Sequence, residues 1–255
     1  MQSKTLTDEH VIPLGLGGTH ILKASSCLSC NEITSKFEYF ILRGHWLGIR
    51  KKLNTGSRRK NKPFAPLKVN LIKPDGTKIP GTVSVEECIF QLVFSLFEPE
   101  ILATEIQGGI KPYAKGIGMV VIGAGGPTIL TETNGRKRRI FGGEKIEYLL
   151  HEFTAENFFR FLAKVAHSYT IKERGINACR TYFLREIILG NTKDAMKYIG
   201  NASPLAQGIR LKKIDRFHSL EFLETNQYLT VLVQLFNVEN HDVQPIYQIV
   251  VGETR

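Results

Sequence analysis

Near the start of the chain, three short stretches carry side chains able to do acid–base and metal chemistry: Asp8-Glu9-His10, Gly17-Gly18 and Cys27-x-x-Cys30-Asn31. An imidazole with an unperturbed pKa of about 6.5 is partly neutral at cellular pH, so His10 can take a proton from an attacking water. A carboxylate and an amide oxygen, here Glu9 and Asn31, are hard donors suited to one Mg2+ or Mn2+ that keeps several of its waters. Such an ion would serve as Lewis acid and template. Cys27 and Cys30 have the spacing of half a structural Zn2+ site, which takes four ligands. Cys88 and Cys179 stand alone, so the zinc ligand set is incomplete. By itself Asp-Glu-His marks a solvated strand end more often than a catalytic one; the weight comes from the three stretches occurring together. Asp8 reads as a structural group, and Glu38 as a solvated or ion-paired helix residue.

The stretches "EHVIP", "LGG" and "CLSCN", with Lys36 beyond them, resemble the HNH endonuclease family, whose core is the ββα-metal fold. Outside this core, "ITSKFEYFILRG", "FLAKVAHSY" and "YQIVVGE" look like uncharacterised bacterial HNH-endonuclease-like proteins with a C-terminal α+β domain. The resemblance implies a metal-dependent endonuclease acting on DNA, with His10 as general base and Glu9 and Asn31 as ligands of a single divalent metal. It departs from the family pattern in two places. The middle motif position, usually an asparagine, falls on Thr19, His20 or Leu22. The second Cys-x-x-Cys that many relatives carry before the first strand is missing from residues 1–7, so either the zinc is absent or the chain is truncated.

These residues need a scaffold. Val11 and Ile12 favour a strand from Leu6 to Leu14, with Pro13 at its edge. Gly15–Gly18 reads as a turn and "THILKA" as a second strand. Ser25 or Ser26 can cap a helix whose stripe is Ile33, Phe37, Phe40 and Ile41, with Gly44 as its stop. That unit is too small to stabilise itself by burial alone, so it needs a metal or a neighbour. Glu9 and His10 are consecutive and would face opposite sides of a regular strand, so the strand must bend or end there.

Further along, Pro74-Asp75-Gly76 marks a turn between strands, and "GMVVIGAGG" another strand. The glycine spacing of that strand fits neither common phosphate-binding fingerprint. Helices are expected after Thr154 to about Arg174, closed by Gly175, and over Cys179–Leu189. "YLTVLVQLFNV" and "IYQIVVGE" read as paired strands, and Gly135–Arg139 as a solvated hairpin tip. The fold class is α+β, divided into an HNH module (1–44), a basic linker (45–66) and a C-terminal α+β domain (67–255).

Charge points the same way as the motifs. The formal net charge is +10, and the acid-free interval between Glu38 and Asp75 holds ten basic residues. Among them Arg50, Lys51, Lys52, Arg58, Arg59 and Lys60 are the expected contacts to a nucleic-acid backbone, DNA by the resemblance, with RNA suiting the charge equally. With 42% hydrophobic residues in 255, no charged-then-apolar leader and no apolar run of spanning length, secretion and membrane insertion find no support, and a cytoplasmic location is expected. Four cysteines do not make a disulfide framework. Two other readings stay open: a catalytically degenerate HNH-like DNA-binding protein, and a nuclease whose C-terminal domain senses a regulatory ligand or protein, as in defence systems.

Overall fold

The computed structural model describes residues 6–55, 66–83, 91–96, 98–102, 118–123, 126–128, 131–133, 136–141, 144–148, 155–237 and 245–255. It is α+β, as expected. Strands β1 (Leu6–His10) and β2 (Ile21–Cys27) form an antiparallel hairpin, followed by helix α1 (Leu28–Phe40). A π-helical turn over Ile41–His45 leads into the short helix α2 (Leu47–Lys52). The first strand is shorter than expected: its pairing ends at His10, beyond which the Val11 N–H still donates to His20 O at 2.9 Å, and Val11 and Ile12 turn into the core. Cys27, in extended backbone, holds the N-cap position in place of Ser25 or Ser26.

In the middle of the chain, β3 (Leu67–Ile72) and β4 (Lys78–Val83) pair across the Pro74-Asp75-Gly76 turn, where Asp75 Oδ1 accepts from the Thr77 N–H at 2.8 Å. The strands β5 (Gln91–Ser95), β6 (Gly118–Gly123), β7 (Gly126–Thr128), β8 (Thr131–Thr133), β9 (Arg136–Phe141) and β10 (Glu144–Tyr148) follow. They make two antiparallel sheets, ordered β4-β3-β10-β9-β8 and β5-β6-β7. Arg136–Arg139, expected at a hairpin tip, belong to β9 and pair with both β8 and β10.

Helix α3 (Ala155–Arg174) ends at Gly175, whose φ of +79° suits a residue without a Cβ. The helix expected over Cys179–Leu189 is instead β11 (Thr181–Tyr182) and a short α4 (Arg185–Leu189). Next come β12 (Ile199–Asn201), α5 (Pro204–Gln207), β13 (Lys212–Lys213), β14 (Ser219–Glu224), β15 (Tyr228–Gln234) and β16 (Ile246–Glu253). They build an antiparallel sheet ordered β11-β16-β15-β14-β13, in which the two closing strands pair as expected.

The hairpin–helix unit finds its neighbour in α3 and this sheet. Val11, Ile12, Leu16, Phe37, Ile41, Trp46 and Ile49 share one core with Phe158, Phe161, Leu162, Phe236 and Ile249. The single tryptophan is its keystone: Trp46 meets Phe158, Phe161 and Phe236 edge-on, at centroid distances of 6.0, 5.1 and 5.4 Å. Trp46 and Ile49 fall in the segment expected to be linker, so packing continues past residue 44 without a break. On α1, Phe37 and Ile41 are buried, whereas Phe40 is 41% exposed and packs edge-on against Tyr39. No helix among the described residues is long and apolar enough to cross a membrane.

Candidate active site

The connection between β1 and β2 is shaped by two glycines. Pro13 is followed by a 3-10 turn over Leu14–Leu16, which Gly17 closes at φ +90°. A Cβ on Gly17 would lie 2.8 Å from the Phe217 ring, and one on Gly18 would lie 1.9 Å from the Ile12 carbonyl oxygen. Only glycine lets this loop fold back on itself at both positions. The carbonyls of the connection are held from outside it. Arg50 Nε and Thr55 Oγ1 both donate to Gly15 O, the latter at 2.8 Å. His218 Nε2 donates to Leu16 O at 3.0 Å, a tautomer fixed by the Phe236 N–H donating to Nδ1.

Register then aims the chemistry. Thr7 pairs with Ser26 and Glu9 with Leu22, so one residue of β1, Asp8, faces three of β2, Lys23, Ala24 and Ser25. Ala24 takes φ +44°, an unfavourable region for a residue with a Cβ, and Asp8 ties it down. Asp8 Oδ1 accepts from the Ala24 N–H at 3.0 Å and Oδ2 from Lys23 Nζ at 2.7 Å. These bonds, that from Lys23 foremost, hold the Asp8 carboxyl below its usual pKa. The bulge, and the end of the strand at His10, break the alternation of side chains. Asp8, Glu9 and His10, three consecutive residues, all line one cavity of about 340 Å³.

Asn31 enters that cavity from α1, with Thr34, Ser35 and Glu38 beside it. Thr7 Oγ1 donates to Ser26 O at 3.0 Å, and so must accept from Asn31, whose Nδ2 lies 3.0 Å away. The amide oxygen is thereby turned the other way, where it accepts from Ser35 Oγ at 3.0 Å and keeps a second lone pair.

Glu9 and Glu38 meet on Lys164 of α3. The Lys164 ammonium is 2.6 Å from Glu9 Oε1 and 2.9 Å from Glu38 Oε1, and the lysine side chain is 3% exposed. Burial alone would lower the Lys164 pKa, but the two carboxylates outweigh it and hold it above the usual lysine value. Burial raises the Glu38 carboxyl, the nearby Glu9 charge adds to this, and Lys164 offsets it only in part. Lys164 carries a signal in the sequence, being a charge inside the stretch Phe161–Ala166 that otherwise reads as continuous core. Glu38 has no such signal, because a glutamate on a half-exposed helix is ordinary.

The donor set fits a hard divalent ion. Lys164 engages Glu9 Oε1, which leaves Oε2 for a metal, and Asn31 Oδ1 is an oriented amide oxygen. Among the described residues no group of three or more His, Cys, Asp or Glu is placed to hold a metal. One carboxylate and one amide, completed by water, is a sparser set than that. Cys27 and Cys30 lie at the first turn of α1, both partly exposed thiols, with Cys27 Sγ 3.2 Å from Ser29 Oγ. The Nδ1 of His20 is buried and has no hydrogen-bond partner among the described residues.

The expected nucleic-acid contacts divide. Arg58, Arg59 and Lys60 lie outside the described residues, and of Lys51 and Lys52 only the backbone, in α2, is described. Arg50 stands at the cavity wall, where it braces the connection between the first two strands. Its guanidinium donates to Gly15 O and, at 2.8 Å, to Leu42 O. Burial, with Arg43 nearby, lowers its pKa to about 10. No family model, curated protein or solved structure matches the chain.

Proposed function

We propose that this protein is a metal-dependent endonuclease of the HNH type that hydrolyses phosphodiester bonds of DNA. The observation that supports this reading is the shared cavity: Glu9 and His10 from a bulged strand end and Asn31 from the following helix line it together. His10 takes the proton from the attacking water. Glu9 and Asn31 would hold one Mg2+ or Mn2+, which would supply charge stabilisation at the phosphate and the leaving oxygen. Thr7 and Ser35 orient the amide, and Lys23 and Ala24 hold Asp8 out of the ligand set. The acid-free basic segment supplies contacts to the phosphate backbone without reading bases.

The test is metal-dependent nicking of supercoiled plasmid by wild type and His10→Ala. The variant should lose cleavage while keeping nearly all DNA binding, because a base acting on water adds little ground-state affinity. Wild-type rates in His10→Ala, with contaminating nuclease excluded, would sink the assignment. The ion pair that ties up Glu9 Oε1 favours a second reading, a DNA-binding protein that no longer cuts. Binding without nicking in either metal would select it.

A further inference from the structure

We propose that Lys164, more than 150 residues downstream of the motif, is a positioning residue of the candidate site, fixing both the Glu9 carboxylate and the main chain of His10; this rests on the nuclease reading above. A lysine ammonium has three N–H donors. Here the ammonium donates to the His10 carbonyl oxygen, with Val11 O farther off at 3.5 Å, and forms ion pairs with Glu9 Oε1 and Glu38 Oε1. Stability alone does not call for such a group, since a buried ion pair is commonly matched or bettered by apolar side chains of similar volume. The neighbours Ala163 and Val165 are fully buried, so an apolar residue would suit position 164 as core. What an apolar side chain could not do is orient a carboxylate and a carbonyl at the same point.

The grip is two-sided. Lys172, two turns along α3, donates to Ile21 O at 2.9 Å, and Ile21 is the cross-strand partner of His10. Helix α3 therefore holds both strands of the hairpin at the pair that carries the candidate base. Lys164 does not line the cavity. It acts through Glu9 and His10, in the way that outer groups orient metal ligands.

A role as mere charge and a role in positioning predict opposite results for Lys164→Met. Deleting a positive charge beside Glu9 would by electrostatics tighten binding of a cation. Deleting a positioning group would loosen it and slow the reaction. The experiment measures Mn2+ binding to the full chain by the loss of the free-ion electron paramagnetic resonance signal, without nucleic acid. Plasmid nicking at saturating Mn2+ and thermal unfolding are recorded alongside.

Lys164→Met is expected to weaken Mn2+ binding about tenfold or more and to lower the saturated rate by a similar factor. Unchanged or tighter Mn2+ binding with an unchanged rate would overturn the proposal. Glu9→Gln run in parallel separates the two levels. If it weakens Mn2+ binding and Lys164→Met does not, only the positioning role fails. If it has no effect, or wild type binds no Mn2+, the metal-site reading fails and takes this one with it. Should Lys164→Met not fold, the double variant Lys164→Met with Glu38→Gln removes the lysine together with one buried carboxylate and reads the same loss. Should neither fold, the Lys164 ammonium resonance of 15N-lysine-labelled wild type is followed during Mg2+ titration. A shift saturating where nicking saturates is expected; no shift overturns the proposal.

Discussion

Thr7 and Asn31 are joined side chain to side chain, Nδ2 to Oγ1 at 3.0 Å, across the gap between the first strand and the first helix. The bond decides which end of the amide faces the cavity. Thr7→Val keeps the shape and removes the hydroxyl, leaving Ser26 O and Asn31 Nδ2 without it. The expected cost is about 1–3 kcal/mol of stability. The Mn2+ concentration giving half-maximal nicking should rise several-fold, because Asn31 can then turn. A Thr7→Val protein with wild-type metal dependence would detach this bond from the site.

Gly17 and Gly18 are adjacent but do different work, so alanine should affect them unequally. Gly17→Ala meets backbone strain at φ +90° and a ring that can give way. Gly18→Ala drives a methyl into the backbone of Ile12, which is itself fully buried. Urea unfolding should show both variants destabilised, Gly18→Ala the more, by upwards of about 3 kcal/mol, since backbone must move in a packed region. Equal or negligible losses would mean that the loop relaxes more freely than its contacts imply.

Much of this was legible in the sequence, for identifiable reasons. Helix α3 reads at nearly its full length because its apolar period is long and a glycine closes it. The last two strands read because their β-branched runs are buried and continuous. The grouping of Glu9, His10 and Asn31 followed from the motif, and the need for an irregular strand from alternation alone. The details of that irregularity were hidden. One residue facing three depends on a tie between Asp8 and Ala24 that no local pattern announces. Phe40 looks like core by period yet is exposed, and the regular helix gives way to a π-turn at Ile41, before the glycine expected to stop it. Arg50 counted as one charge among ten; only the fold shows its guanidinium on the carbonyls of Gly15 and Leu42. Lys164 required knowledge that α3 packs under the hairpin, a contact more than 150 residues long in sequence.

Because Trp46 bridges the hairpin–helix unit to α3 and to Phe236, that unit should unfold together with α3 and the sheet packed on it. Trp46→Ala is expected to cost about 3–5 kcal/mol and to lower one shared transition. Fluorescence of Trp46 and far-ultraviolet circular dichroism of wild type should give the same urea midpoint. Two separated midpoints would show that the unit melts by itself.

The basic segment is expected to hold phosphates without sequence preference. Neutralising Arg58, Arg59 and Lys60 together should weaken binding to all DNA sequences alike. It should also reduce the slope of log affinity against log salt by about 0.9 for every phosphate no longer neutralised. An unchanged slope would remove these three residues from the interface.

The fold should also lose stability in mild acid through His218. Its ring is fully buried and held neutral: Nδ1 accepts from the Phe236 N–H and Nε2 donates to Leu16 O. A proton on Nδ1 would set two N–H groups against each other. Burial lowers its pKa, and neither the Asp215 charge nor the Leu16 bond makes up the difference. Burial lowers His167 in the same way. In the unfolded chain both titrate at about 6.5. A histidine whose pKa is depressed by folding binds more protons when unfolded, so its contribution is complete above that value. It is lost as pH falls through about 6.5 toward the folded pKa, by up to about 1.4 kcal/mol per pH unit for each ring. Urea unfolding of wild type and His218→Gln at pH 7.5, 6.5 and 5.5 reads the difference directly. The variant should be the less stable at pH 7.5 and should lose less than wild type on going to 5.5, because it lacks one of these two depressed histidines. Parallel losses in the two proteins would show that His218 is not held neutral, and that its grip on Leu16 beneath the candidate site does not depend on pH.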